Sequence, residues 1–342
     1  MHEHHVSILT TPVWLSDLPT HVTQIPCYTK NELDFSEKLR LLRTLRGLRR
    51  KYDITHYLFT PTRKNTSLIN FFSRPTHGKT VQTIATLRED LYGVKQWKQL
   101  LFADRIIVYS DYSKDILEHV GFDNVTRIYP GTDLSLYQPQ SKDPEALTFF
   151  NLTADDFVVM YPGEYVRLGA TDMLTEWLIE HYQQHPASNM KFVFACRVKH
   201  DDDRLKKIEI TERFKQAGML DRIRFTDTYA DMPKLYNLAD VMIFPVGDMK
   251  GKFDVPLVII EAYACGKPVI LSDLPIFKEF SGNDICVTIP RGSKGELSEK
   301  IAYLRDNPEV RSSLGRHART FVERYFNLKD TVRQYEDIYA SL

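Results

Sequence analysis

Nowhere does the sequence approach the ~20 consecutive apolar residues that a membrane-spanning helix requires. Cysteine is scarce: among 342 residues there are four, Cys27, Cys196, Cys265 and Cys286, far apart and with no C-x-x-C pair. That excludes a disulfide scaffold and a zinc site of ordinary ligand spacing, and it predicts buried free thiols in a reducing, cytosolic compartment. Net charge is missing too. Lys+Arg and Asp+Glu both number 45, which excludes nucleic-acid binding through overall positive charge. The opening residues lack a basic segment followed by an apolar core, so no secretory signal is expected. There is no short repeat and no low-complexity tract. Ordinary fractions of hydrophobic (43%) and charged (26%) residues exclude wholesale disorder.

What is present is a rhythm. Short, nearly continuous apolar runs alternate with longer helical patterns. In the first half the runs are His5–Leu9, Ile54–Thr60, Thr80–Ala85, Arg105–Tyr109 and Val125–Tyr129. In the second half they are Phe157–Tyr161, Phe192–Cys196, Ile223–Phe225, Val241–Phe244, Pro268–Leu271 and Ile285–Thr288. Runs of this length suit parallel strands covered on both faces, and the alternation predicts doubly wound α/β units. Pro130, Gly131, Pro139 and Pro144 interrupt the rhythm. Two Rossmann-like domains facing a cleft are therefore expected, with the ligand at the carboxyl ends of the strands.

The stretch 239–275 carries the most chemistry. The strand Val241–Phe244 leads through a loop with two glycines, Gly247 and Gly251, to Pro256, expected in the first turn of a helix that Gly266 ends. A loop that delivers a helix N-terminus to strand ends can hold phosphate through free backbone N–H groups. Glu261, inside an otherwise apolar helix, can accept two hydrogen bonds from a ribose diol; the alternative is a solvated helix residue.

The string EAYACGKPVI (Glu261–Ile270) resembles the C-terminal domain of the retaining glycosyltransferases of family 4, which have the two-domain GT-B fold. Leu235–Pro245, Ile128–Pro139 and Leu101–Leu117 match further family patterns in the expected order. The resemblance covers roughly residues 50–342. It implies an acceptor-side Rossmann-like domain over 1–135 whose first strand–helix unit is missing, a linker at 136–150, a nucleotide-sugar domain over 151–325, and a C-terminal helix at 326–342 that can cross back. It also implies a nucleotide-diphosphate sugar as co-substrate, front-face transfer with retention, and no cofactor or metal. Glu261 would hold the ribose, the N–H groups around Val255, Leu257 and Val258 the distal phosphate, and Tyr229 would border the base.

Departures from the family pattern are specific. Phe253 stands where the family has a first Glu, eight residues before the second. Asp254, the neighbouring carboxylate, either contacts the donor sugar as a catalytic-site residue or N-caps the helix. In YPGEYVRLGATDML, Gly163 begins the loop, Glu164 replaces the diphosphate-binding Arg, and Gly169 falls near the Lys position. Arg197 and Lys199 are the substitutes the sequence offers, with Lys252 in the glycine loop; the alternative for the first two is a solvated loop. His200–Asp203 is read as a helix start and not as a metal site.

In the first half, Arg63, Lys64 and Asn65 within TPTRKNTS are acceptor-side candidates, or an ordinary polar loop. Ser36–Asp53 is an amphipathic helix with seven cations, suited either to an anionic membrane surface or to packing on its own sheet. The expected activity is retaining transfer of a sugar to a glycan or lipid-linked acceptor by a cytoplasmic, peripherally membrane-bound enzyme. The replaced residues leave two rivals: a non-catalytic partner subunit and a sugar-nucleotide epimerase of the same fold.

Overall fold

The computed structural model describes residues 4–10, 18–27, 34–227, 229–282 and 284–342. The first three residues, part of the stretch read for a leader, lie outside them. The chain divides into two compact units. One comprises Met1–Ile84, Leu91–Ile107 and Leu342, the other Ala85–Asp90 and Val108–Ser341.

In the first unit, β1 (Val6–Thr10) pairs in parallel with β2 (Val22–Pro26). Sequence reading missed β2, because VTQIP lacks a continuous apolar run and three of its five residues are exposed. α1 (Phe35–Leu48) starts on Asp34, whose carboxylate accepts the Glu37 N–H at 2.9 Å. β3 (Ile54–Leu58) pairs in parallel with β4 (Lys79–Ile84). Between them the expected polar loop is instead α2 (Arg63–Leu68), nucleated by Thr62, which accepts the Asn65 N–H at 3.2 Å. α3 (Val94–Leu100) and β5 (Arg105–Val108) follow, with β3, β4 and β5 side by side in one sheet.

The second unit opens with α4 (Asp111–His119), β6 (Val125–Arg127) and α5 (Pro144–Phe149). α5 occupies much of the stretch read as a linker; Asp143 caps it and Pro144 takes its first turn. The core sheet contains β7 (Phe157–Tyr161), β8 (Met190–Phe194), β9 (Ile223–Phe225), β10 (Val241–Phe244), β11 (Val269–Ser272) and β12 (Val287–Ile289). Its order is β12-β11-β10-β7-β8-β9, and the strand pairs are parallel. β7, β10 and β11 are wholly buried, as continuous apolar runs require when helices cover both faces. α6 (Thr171–Gln184), α7 (Asp201–Gln216), α8 (Met232–Leu238), α9 (Leu257–Ala264), α10 (Lys294–Asp306) and α11 (Pro308–Tyr325) connect the strands and close the unit. α12 (Leu328–Ala340) ends it and is tied to Tyr129 O by the Thr331 hydroxyl at 3.1 Å. No helix among the described residues is long and apolar enough to cross a membrane.

The strand order has a consequence for function. β7 lies between β8 and β10: the chain runs outward through β8 and β9 on one side, then crosses back to β10 and runs outward through β11 and β12 on the other. The crevice at its carboxyl end is the topological switch point, where open α/β sheets bind ligands.

Candidate active site

A cavity of about 720 Å³ opens at that switch point. Its size suits a nucleotide-sized ligand. The loop after β7 contributes Gly163, Glu164 and Arg167, the loop after β8 Arg197 and Lys199, and the segment after β9 Tyr229. The loop after β10 contributes Lys252, Phe253 and Val255, and α9 contributes Leu257, Val258 and Glu261. Tyr137 and Tyr236 complete the wall nearest Glu261.

Gly163 is required by a close approach. A Cβ there would collide with the ring of Tyr161, which lies fully buried at the end of β7. The ring therefore sets the floor of the loop, and the chain can pass over it only without a side chain.

Glu261 receives the Tyr236 hydroxyl at 2.8 Å and is also hydrogen-bonded by Tyr137. Burial pushes its pKa up, against the two phenols and the Arg197 charge. A carboxylate has about four lone-pair sites, so two phenols leave capacity for a ligand diol. The phenols also fix the carboxylate's orientation, and neither was singled out by sequence reading. Both lie in matched stretches that could have pointed to them, Tyr236 in Leu235–Pro245 and Tyr137 in Ile128–Pro139.

The start of α9 exposes backbone donors. Pro256 is its N-cap residue, one position before the first turn where sequence reading placed it. Ile259 and Ile260 donate back to Pro256 O. The amides of Val255, Leu257 and Val258 have no acceptor among the described residues and border the cavity. They fit an anionic ligand, helped by the helix dipole.

The structure turns Asp254 away. It is 3% exposed and does not line the cavity. Its carboxylate accepts the Leu87 N–H at 3.1 and 3.2 Å and the Ser113 hydroxyl at 2.5 Å. Burial pushes its pKa up to about 7, against those hydrogen bonds. Neither expected role is met: the cap of α9 has no side-chain hydrogen bond, and the carboxylate is committed to the segment Ala85–Asp90 and to α4. Asp254 thereby anchors the main chain next to Val255, which lines the cavity.

The cations are not free as a group. Glu164 accepts Lys199 Nζ at 2.7 Å and pairs with Lys252, with Arg167 Nε 3.8 Å away. Burial alone would raise the Glu164 pKa, but the two lysines hold it below the ordinary carboxylate range. Arg197 is exposed and has no hydrogen-bonding or ion-pair partner among the described residues. Tyr229 packs its ring on Phe149 and Phe150, at centroid distances of 5.5 and 5.1 Å. His200 caps α7, and Asp203 accepts the N–H groups of Lys199 and His200 at 3.1 and 3.2 Å, as a helix start demands. Arg63, Lys64 and Asn65 lie on α2, in the other unit.

Comparison with known proteins converges on one class. Residues 156–307 match the family model described as glycosyl transferases group 1. A D-inositol 3-phosphate glycosyltransferase of Saccharomonospora viridis is 27% identical over 248 residues, 69% of this chain and 55% of that relative. One from Mycobacteroides abscessus is 29% identical over 185 residues, 53% of this chain and 39% of the relative. The chain thus spans about half the length of the curated relatives it matches. Among solved structures, HepE of Anabaena in complex with UDP and glucose superposes with a TM-score of 0.75 at 18% identity, covering 94% of this chain and 87% of that one. Sucrose-phosphate synthase of Thermosynechococcus elongatus gives 0.76 at 20% identity, covering 98% and 88%.

Proposed function

We propose that this chain, which has the GT-B fold and a group 1 glycosyl transferase domain, moves a sugar from a nucleotide-diphosphate donor to a glycan or lipid-linked acceptor with retention of anomeric configuration. The observation that carries the reading is Glu261, held by two phenols at the wall of a cavity whose opposite chemistry is cationic and rich in free N–H groups. In this reading Glu261 takes the ribose diol, and the amides of Val255, Leu257 and Val258 take the distal phosphate. The reaction makes the diphosphate a leaving group, so the demand is for positive charge where negative charge grows. Lys199, Lys252, Arg167 and Arg197 supply it from side chains, and the reading needs no metal ion. The cavity's carboxylates are all engaged: Glu164 by cations, Glu261 by phenols, and Asp227 by Lys207 at 2.6 Å.

The acceptor assignment extends to where the enzyme works. α1 and the residues just after it present exposed Lys38, Arg40, Arg43, Arg46, Arg50 and Lys51, none of which forms an ion pair among the described residues, beside exposed Phe35 and Leu39. This composition suits an anionic membrane surface, where a lipid-linked acceptor would be presented. The four free, buried cysteines are consistent with the cytoplasmic side of that membrane.

Calorimetry with UDP-, GDP- and ADP-sugars tests the donor site, and the absence of binding to all three would remove it. Proton NMR of the first-formed product reads the anomeric outcome; inversion overturns retention. Donor binding without transfer to any acceptor, or isomerisation of the nucleotide sugar itself, would favour the non-catalytic partner or the epimerase.

A further inference from the structure

A cavity built for a diphosphate has no evident use for a carboxylate, yet Glu164 stands among its cations. It follows Gly163 at the end of β7, the strand at the switch point. Lys199 and Lys252, from the loops after β8 and β10, both pair with the same oxygen, Oε1, while Arg167 approaches Oε2. The side chains of Glu164 and Lys252 are only 14% and 19% exposed. Charges so far out of water need a partner. Without Glu164, two lysines and an arginine would face one another with nothing between them. The main chain at this point is fixed, because Glu164 O accepts the Thr171 hydroxyl at 3.1 Å. Only the side chain is left to swing.

We propose that Glu164 is an internal counter-anion, holding the place of the diphosphate charge while the donor is absent, and that the donor binds by taking Lys199 and Lys252 from it. The inference rests on the donor-site reading above. It assigns Glu164 two effects. In the empty site it keeps the two lysines gathered at the switch point. In the occupied site it competes with the phosphates, so nucleotide binds less tightly than four cations would allow, and the nucleoside diphosphate left after transfer departs more readily. Arg167, with Nε 3.8 Å from Oε2, lines the cavity beside Glu164 and can serve either anion.

The test is calorimetry with UDP, and with uridine as the phosphate-free control, on the wild type and the variants Glu164→Gln, Glu164→Ala and Glu164→Asp. Removing the competing charge should tighten UDP binding by on the order of tenfold in the Gln and Ala variants. Uridine binding should not change, and the Asp variant should stay close to the wild type. A purely structural Glu164 predicts the reverse, weaker UDP binding as the lysines lose their anchor. Folded Gln or Ala variants that bind UDP no tighter than a UDP-binding wild type overturn the counter-anion and leave the donor site standing. Failure of the wild type and all variants to bind UDP, GDP or ADP overturns both. A UDP complex of the wild type provides a reading that needs no variant. Lys199 Nζ and Lys252 Nζ should lie on phosphate oxygens, and a complex in which both keep Glu164 overturns the proposal.

Discussion

The two units spend their charges and apolar surface differently. In the second, β7, β10 and β11 are buried on both faces, and the cations around the cavity are mostly paired across loops. In the first, β1, β2 and β3 are largely half-exposed, and six cations of α1 and the residues just after it have no ion-pair partner among the described residues. Paired charges around the cavity stand where the proposed donor would bind, and unpaired charges beside exposed Phe35 and Leu39 stand where the proposed membrane surface would meet the chain. The comparison teaches that a chain with zero net charge can still contain two electrostatic designs, one closed on itself and one open.

The strongest way to break the comparison is at Glu261. Replacing it by Ala removes the proposed ribose acceptor and leaves the phenols of Tyr236 and Tyr137 without it. Donor affinity should fall by about one to two orders of magnitude with little loss of fold, measured by calorimetry beside a melting curve. An unchanged affinity would mean that the closed design serves packing alone.

Gly315 tests the tightness of the core itself. A Cβ there would run into the carbonyl of Gly266, where α11 crosses the end of α9. Gly315→Ala should cost about 1–3 kcal/mol in urea unfolding, since one helix must lift from the other. A neutral result would show that the second unit yields more than its packing suggests.

Asp254 sharpens the picture through pH. Its folded pKa, about 7, lies above its ordinary value near 3.8. The folded state therefore holds the proton more tightly. The stability this contributes is complete below the ordinary value and is lost as the pH rises through about 7. Asp254→Asn does not titrate, so its melting temperature should gain on that of the wild type between pH 5 and pH 8. A constant difference across that range would contradict a shifted, buried carboxyl.

The smallest effect on stability belongs to α1. Arg40, Arg43 and Arg46 changed together to Gln should change the unfolding free energy by less than about 0.5 kcal/mol each. Co-flotation with phosphatidylserine vesicles should drop sharply in the same variant. Equal flotation of the variant and wild type would close the open design.

Much of this was legible in the sequence where one physical demand dominates. Phe157–Tyr161, Ile223–Phe225 and Val241–Phe244 are strands at the expected bounds, because continuous apolar runs have few other homes in a doubly wound domain. The cavity residues Glu261, Arg197, Lys199, Tyr229 and Lys252 do converge. α2 and α5 look irregular in the sequence, since prolines and polar residues mask short helices whose caps, Thr62 and Asp143, are in plain view. Asp254 was misplaced because sequence shows that a carboxylate precedes a helix but not which way it points. The pairing of Glu164 with Lys199 and Lys252 joins residues 35 and 88 positions apart in the numbering, and no local pattern reports it.

Gly163 sets a rule for anyone who would redesign this site. Its contact with the Tyr161 ring forbids a side chain, while the next position carries one that can be exchanged. A library meant to retune nucleotide preference should therefore hold position 163 constant and randomise 164, 167 and 199. Diversity spent at the glycine would be lost to misfolding before any selection for activity could act.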